Sequence, residues 1–382
     1  MNFALTEEQL AFQKEMREFA QREFAPGAVQ RDEDEDFTPI YDIFMKKMGP
    51  MGLLGLTMPK EYGGQGRSPI FFVLAMMEFC RVEVSVGASW SVCLSLGTVP
   101  LLQWGTEEQK QKYLSPLLKG EKLCAFGLTE ENAGSDSAMQ ETTAVLDGDE
   151  YILNGRKIYI TNAGFADTYI VFAMTDKTKG TKGISAFVVE KDTPGFTFGK
   201  EYKKMGIRAT AQRELVFENC RIPKENLLGK EGEGFKIAMT ALDVGRIGVA
   251  GQGAGAAMGA FDLAVKTAKE RVQFGKPISA NQAISFKLAD MATKIELAQL
   301  ILLKTAWLMQ EGLPYTKEAA MAKTVCTDTA MSVTTDAVQI LGGKGYLREN
   351  EAERFMRDSK ILQLYEGTNQ IQRLIVSGHV LK

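Results

Sequence analysis

The chain has 382 residues, of which 45% are hydrophobic and 24% charged, and a net charge of −3. That length allows two or three domains at ~150 residues each, and the charge, with no basic stripe interleaved with aromatics, excludes an electrostatic case for nucleic acid. No apolar run reaches the roughly 18 residues that span a bilayer, and Met1–Leu10 lacks a signal peptide's basic region and carries acids foreign to a transit peptide, so a cytoplasmic protein without a membrane partner is expected.

The first third reads as helices. Thr6 and Gln9 have capping-box spacing, followed by Phe12, Met16 and Phe19 at helical intervals up to Pro26. Thr38-Pro39 and Ser68-Pro69 each read as an N-cap before a Pro at N1, opening helices over 39–48 and 69–82. Residues 88–104 are almost uncharged and predict a buried helix carrying Trp90 and Trp104. A second capping box, Thr106 with Gln109, opens a helix that ends near Gly120.

From about 123 to 223 the pattern changes to short runs of β-branched and aromatic residues. These are 142–146, 151–153, 157–161, 169–174, 184–190, 196–198 and 214–217, with hairpin signals at Asp147-Gly148 and Asn154-Gly155. They predict a small β-barrel or sandwich. After Pro223 helical periodicity returns in segments near 233–272, 280–312, 315–342 and 349–378, the pattern of an antiparallel four-helix bundle. The fold class is therefore mainly α with a middle β domain: a helical domain over 1–120, a β domain over 121–228 and the bundle over 229–382.

The chemistry is narrowed by what is scarce. The five cysteines, at 80, 93, 124, 220 and 326, have neither metal-ligand nor redox-motif spacing and read as free thiols. The single histidine, His379, leaves no His–His metal site, so no metal is expected. Acid–base work then falls to carboxylates, lysines, tyrosines or a cofactor. Glu366 lies between the apolar pair Leu364 and Tyr365 and the permissive Gly367. Such a carboxylate is desolvated and its pKa rises toward that of a general base. The alternative is a Glu at a helix end before a capping Gly. Gly251, Gly253, Gly255 and Gly259 do not make a GxGxxG turn, and no strand precedes them; they read as small residues for close helix packing. Gly342 to Gly345 read as a C-cap or as a bend against a ligand.

Several separated segments together resemble one family. Leu128-Thr-Glu-Glu-Asn-Ala-Gly-Ser-Asp136 is similar to the "TEPxAGSD" signature of the acyl-CoA dehydrogenases. Arg271-Val-Gln-Phe-Gly-Lys-Pro277 resembles the family's "R-x-x-F-G" turn, and Gln339–Gly343 and Tyr365–Gln370 resemble its two C-terminal motifs. The resemblance runs from residue 3 to 382 and is nearest to the bacterial short-chain, butyryl-CoA type. It implies one FAD per subunit, a homotetramer (a dimer of dimers) and α,β-dehydrogenation of an acyl-CoA in fatty acid β-oxidation. Electrons would leave to an electron-transferring flavoprotein, since no second cofactor motif is present.

Carried over residue by residue, Glu366 matches the catalytic base. Phe126, Leu128 and Thr129 match a strand beside the flavin ring. Gly134 and Ser135 match a turn serving FAD phosphate and CoA. Tyr159, Ile160 and Thr161 match a segment beside the isoalloxazine, with Tyr159 where Trp is frequent. Arg271, Gln273, Phe274, Gln339 and Gly343 match residues that bind a neighbouring subunit's FAD, and Thr368 and Gln370 match contacts to FAD phosphate and adenine. Asp243 and Arg246 match CoA-binding residues; Tyr365 and Gly367, flanking the base, are expected at the substrate. The resemblance also implies an oxyanion site made by the Glu366 N–H and a ribityl hydroxyl, with hydride passing to flavin N5.

Three departures bear on this. Glu131 replaces the signature's Pro, which loosens that turn. Thr210-Ala-Gln212 stands where Ser-x-Thr is common. Gly245 stands where the isovaleryl-CoA branch carries its base, in keeping with Glu366 in that role here. Segment 88–96 is uncharged and argues against a dicarboxylyl substrate. Trp90 and Leu94 are expected to line a dry acyl pocket and favour a compact acyl group. The alternative for Trp90 is packing against the β domain. An oxidase, an enoyl-CoA reductase or a non-catalytic scaffold on the same fold are the rival readings.

Overall fold

The computed structural model describes residues 4–382, so readings that include Met1–Phe3 fall partly outside the described residues. Helix α1 (Glu7–Glu23) opens at the expected capping box: Thr6 Oγ1 accepts the Gln9 N–H at 3.2 Å, and the Gln9 side chain accepts the Thr6 N–H at 2.9 Å. Its apolar face lays Phe12 and Phe19 against Phe71 and Phe79 of helix α2 (Pro69–Cys80). The helix expected over 39–48 starts at Thr38, and its second half, Phe44–Met48, widens into a π-helix. Asp36, not Thr38, supplies the local side-chain bond, accepting the Thr38 N–H at 2.9 Å.

Helix α3 (Val84–Trp104) corrects an expectation. Its 21 residues are long and apolar enough to cross a membrane, yet its apolar stretch is buried inside the fold and only its C-terminal end, at Gln103, is exposed. Composition alone cannot separate a core helix from a membrane span; burial on all sides does.

The β domain is one mixed, eight-stranded sheet in the order β6-β7-β3-β2-β4-β5-β8, with β1 parallel to β4. The strands are β1 (Cys124–Gly127), β2 (Thr143–Asp147), β3 (Glu150–Thr161), β4 (Thr168–Met174), β5 (Ile184–Glu190), β6 (Phe196–Glu201), β7 (Gln212–Pro223) and β8 (Leu227–Leu228). The sheet curls on itself: Tyr169 of β4 meets Phe196 of the edge strand β6 at 4.9 Å between ring centroids. That gives the barrel-like core the strand pattern implied. Asp147-Gly148 does turn a hairpin, pairing Asp147 with Glu150. Asn154-Gly155 does not. Strand β3 runs straight through it, with Gly155 at a bulge where a Cβ would lie 2.5 Å from Thr142 Oγ1. Two runs read as separate strands are therefore one.

The bundle contains α4 (Gly234–Glu270), α5 (Gln282–Gln310) and α6 (Thr316–Leu341). Its expected last helix is two, α7 (Ala352–Leu362) and α8 (Asn369–Val380), with Glu366 in the break. The glycines of α4 serve packing: a Cβ at Gly255 or Gly259 would lie 2.4 Å from Met77 O of α2 or 2.3 Å from O of Arg81, the residue that ends α2.

One ion pair ties the 128–142 segment to the sheet. The buried Lys157 donates to Glu130 Oε1 at 2.6 Å, Gln140 Oε1 at 3.0 Å and Leu128 O at 3.3 Å. Glu130 also accepts the N–H groups of Glu141 and Thr142. Burial lowers Lys157 to about 8, against the pull of Glu130. Lys157→Met leaves Glu130 buried and unpaired, which should cost about 3–5 kcal/mol. Chemical denaturation of the two proteins checks this; a loss under about 1 kcal/mol would mean the pair does not hold the segment.

Candidate active site

The break between α7 and α8 is made by two successive left-handed residues, Glu366 at φ 52° and Gly367 at φ 90°. Gly367 takes this conformation freely; Glu366 does not, and needs outside support. The support comes from three helices. The Glu366 carbonyl accepts Arg246 Nε of α4 at 3.3 Å and Gln372 Nε2 of α8 at 3.2 Å. The Gly367 carbonyl accepts Lys323 Nζ of α6 at 2.9 Å and Gln372 Nε2 at 3.0 Å. Thr368 then caps α8, its Oγ1 accepting the Ile371 N–H at 3.3 Å. The Glu366 N–H donates to no protein group among the described residues.

The Glu366 carboxylate lies against Gly245 of α4. A Cβ at that position would be 2.0 Å from Glu366 Oε2. Oε2 is buried and has no hydrogen-bond partner. Burial raises the carboxyl to about 7; Arg246 and Lys323 pull the other way. Such a group is poised to take a proton near neutral pH.

Glu366 opens onto a cavity of about 690 Å³. Of the residues singled out in the sequence, Phe126, Leu128, Thr129, Gly134, Ser135, Tyr159, Ile160, Thr161, Arg246, Tyr365, Gly367 and Thr368 share that wall. The 128–136 turn is tight despite Glu131: Glu130 and Ala133 exchange backbone hydrogen bonds at 3.2 and 3.1 Å. Gln212 also lines the cavity, donating to Tyr159 O at 3.0 Å. Tyr365 donates its hydroxyl to Gln252 Oε1.

Trp90 and Leu94 are not there, which corrects the reading of α3. The α3 residues that reach the cavity are Ala88, Val92 and Leu96, spaced four apart, so positions two residues out of phase face away. The Trp90 indole is fully buried, donates Nε1 to Leu53 O at 3.0 Å and packs between Phe72 and Phe79. It is bound into the helical core, not against the β domain. Asp243 stands one step behind the wall, accepting Arg246 at 2.6 Å and the Thr316 hydroxyl at 2.8 Å.

Arg271, Gln273, Phe274, Gln339, Gly343 and Gln370 also lie off the cavity. Arg271 donates to Leu341 O at 2.9 Å, joining the hairpin Val272–Pro277 to the turn after α6. Phe274 at the hairpin tip is 99% exposed. Gln339, Gly343 and Gln370 are exposed as well.

Sequence reasoning missed Lys323, Met239, Leu242 and Ile361; Leu364, read as an apolar flank of Glu366, does line the cavity. Lys323 was legible in principle: Ala319, Lys323, Cys326 and Ala330 fall on one buried face of α6. A lone lysine in that phase is a buried cation.

The chain matches the N-terminal, middle and C-terminal domain models of acyl-CoA dehydrogenase at residues 6–121, 125–220 and 232–381. It belongs to the acyl-CoA dehydrogenase family. That family consists of FAD-dependent flavoproteins that dehydrogenate acyl-CoA thioesters. Over all of both chains it is 50% identical to a short-chain specific acyl-CoA dehydrogenase of Clostridium acetobutylicum, and 49% identical to one of Megasphaera elsdenii. Butyryl-CoA dehydrogenase of M. elsdenii superposes with a TM-score of 0.96 at 48% identity, with all of both chains covered. A chain in a structure described for the electron transferring flavoprotein of Acidaminococcus fermentans superposes at 0.97 with 53% identity, again over all of both.

The cavity residues fit a flavin dinucleotide. Helix α8 presents its N-terminus, with Gly367 and Thr368 in the wall, as a seat for phosphate. A Cβ at Gly134 would meet nothing within 4 Å, so the backbone there can be approached closely. Tyr159, 56% exposed in the wall and 4.9 Å from the Tyr202 ring, offers an aromatic face to a flat ring system.

Gly245→Ala should displace the Glu366 carboxylate without emptying the site. A misplacement of about 1 Å costs on the order of 10² in turnover. Flavin content and turnover measured together check this; unchanged turnover would show that the close approach at Gly245 is not needed.

Proposed function

We propose that the chain oxidises short-chain acyl-CoA thioesters to 2-enoyl-CoA, with FAD as cofactor and Glu366 as the base that takes the α-proton. The observation that carries this reading is the buried, unpartnered Glu366 Oε2, held against Gly245 on a residue that lines the cavity. An α-proton of a thioester is only weakly acidic, so the carbonyl oxygen must be stabilised as charge develops on it. The unengaged Glu366 N–H is the protein donor suited to this. Phe126, Leu128, Ala88, Val92 and Leu96 keep water from the reacting carbons, which strengthens both interactions. When bound, FAD accepts the hydride from the β-carbon.

Arg246, steadied by Asp243, orients the substrate side of the base. The exposed patch of Arg271, Gln273, Phe274, Gln339 and Gly343 serves the FAD of a neighbouring copy in a homotetramer. An electron-transferring flavoprotein receives the electrons; the likeness to a chain described with such a flavoprotein supports this. The short-chain preference rests on the short-chain specificity of the Clostridium and Megasphaera relatives.

Glu366→Gln keeps the shape and removes the base. Turnover should fall by about 10² to 10⁴ with flavin content unchanged. With Glu366 raised to about 7, the wild-type kcat/KM should fall as pH drops through that value, where the base becomes protonated. Bleaching of the flavin by substrate at a near-normal rate in the variant would move the base elsewhere. A panel of butyryl-, hexanoyl- and octanoyl-CoA tests the substrate class. Each methylene left outside the pocket forgoes roughly 0.8 kcal/mol of burial, so kcat/KM should stop rising beyond the short chain and fall where a closed pocket end forces a longer chain to clash; a maximum at octanoyl-CoA would overturn the short-chain reading.

A further inference from the structure

Lys323 lies in the middle of α6 with its side chain wholly buried. Both of its hydrogen-bond acceptors are neutral: Gly367 O at 2.9 Å and Asn369 Oδ1 at 2.8 Å. Among the described residues it forms no ion pair with a carboxylate. Taking an ammonium out of water without a partner is costly, and an apolar side chain of the same length would avoid that cost. One of the two bonds, however, goes to the residue that follows Glu366.

The surroundings give that charge an object. Arg246 faces Glu366 from α4 but is engaged by Asp243 at 2.6 Å. Asp328 of α6 is engaged by Arg373 of α8 at 2.8 Å. Arg357 and Lys360 of α7, with Lys203 and Lys204, line the cavity, and the neighbouring Tyr365 phenol is held protonated by burial. Lys323 is thus a buried cation behind the turn that no carboxylate neutralises directly. Burial pushes Lys323 down to about 7 and the Glu366 charge supports it; burial pushes Glu366 up to about 7 and the Lys323 charge opposes that.

We propose that Lys323 is a positioning residue for the reaction: it fixes the Gly367 carbonyl and its charge holds Glu366 in the ionised form. The inference rests on Glu366 being the base. It distinguishes Lys323 from Gln372, which bonds the same Gly367 carbonyl, and the Glu366 carbonyl beside it, without a charge.

The test compares FAD-loaded wild type with Lys323→Met, Lys323→Arg and Gln372→Met. Two readouts are followed against pH: kcat/KM, and the infrared carboxyl band of Glu366, identified by its loss in Glu366→Gln. In Lys323→Met both the acidic limb and the band titration should move up by about one pH unit, a roughly fivefold loss at pH 7 that approaches tenfold at lower pH and recovers in alkali. Lys323→Arg should restore the wild-type limb. Gln372→Met should lower the rate evenly at all pH. The proposal is overturned if Lys323→Met loses activity equally across the pH range, or leaves the carboxyl titration in place. It is equally overturned if Gln372→Met shifts the limb as far, because the effect would then be geometry and not charge. Should Lys323→Arg fail to fold, the contrast between Lys323→Met and Gln372→Met decides. If Glu366→Gln still reduces flavin normally, the base assignment fails instead; the infrared titration reports the Lys323 effect separately from that outcome.

Discussion

Everything at the candidate site depends on a helix being interrupted for six residues and then resumed. Between α7 and α8 the chain takes two left-handed residues in succession, one of them a glutamate. A non-glycine residue there costs on the order of 1–3 kcal/mol and persists only where its surroundings over-determine it. Four side-chain bonds from α4, α6 and α8 to the Glu366 and Gly367 carbonyls do this. The break also turns two carbonyls inward to these donors and leaves the Glu366 N–H without a protein partner. A continuous helix would have spent that N–H on the carbonyl four residues earlier.

The same constraint explains the composition of α4. Its glycines let the backbone of α2 approach at Gly255 and Gly259, and at Gly245 they leave the volume that the Glu366 carboxylate occupies. Packing and chemistry thus use one device at different turns of one helix. On the opposite wall the β domain supplies the rigid half. Lys157 and Glu130 anchor the 128–142 segment, so Thr129, Gly134 and Ser135 are presented from a fixed turn.

Much of this was legible in the sequence, for stated reasons. Capping boxes at Thr6 and Thr106 located helix starts because they satisfy orphan N–H groups locally. Apolar periodicity and hairpin residues gave the order helix, sheet, helix. The failures were failures of local signals against tertiary demands. Asn154-Gly155 carries turn chemistry but is stretched into β3 by pairing with β7. The apolar run of α3 gives no phase, since it is buried all round, and Trp90 was assigned to the wrong side. Lys323 went unread because a lysine is normally taken as exposed, and only its phase with Ala319 and Cys326 marks it as buried.

A last question is why Glu366, among several buried carboxylates, is the one proposed as the base. Glu83 is bound by Arg31, Glu78 by Arg17 and Glu130 by Lys157. Each has its charge met by a directly bonded cation, so none is available as a base. Asp358 comes nearest: it too is raised to about 7 by burial, and its Oδ2 has no partner. Yet its Oδ1 accepts the Ile207 N–H at 2.5 Å, and it does not reach the cavity wall. Glu366 alone in this group combines a raised pKa, a free oxygen and a path to a ligand-sized space. Burial creates several candidates, and access selects among them. With one histidine in the chain, at the exposed end of α8, a desolvated carboxylate beside cations that are near but not bonded to its carboxylate oxygens is the group whose chemistry best suits the proposed base.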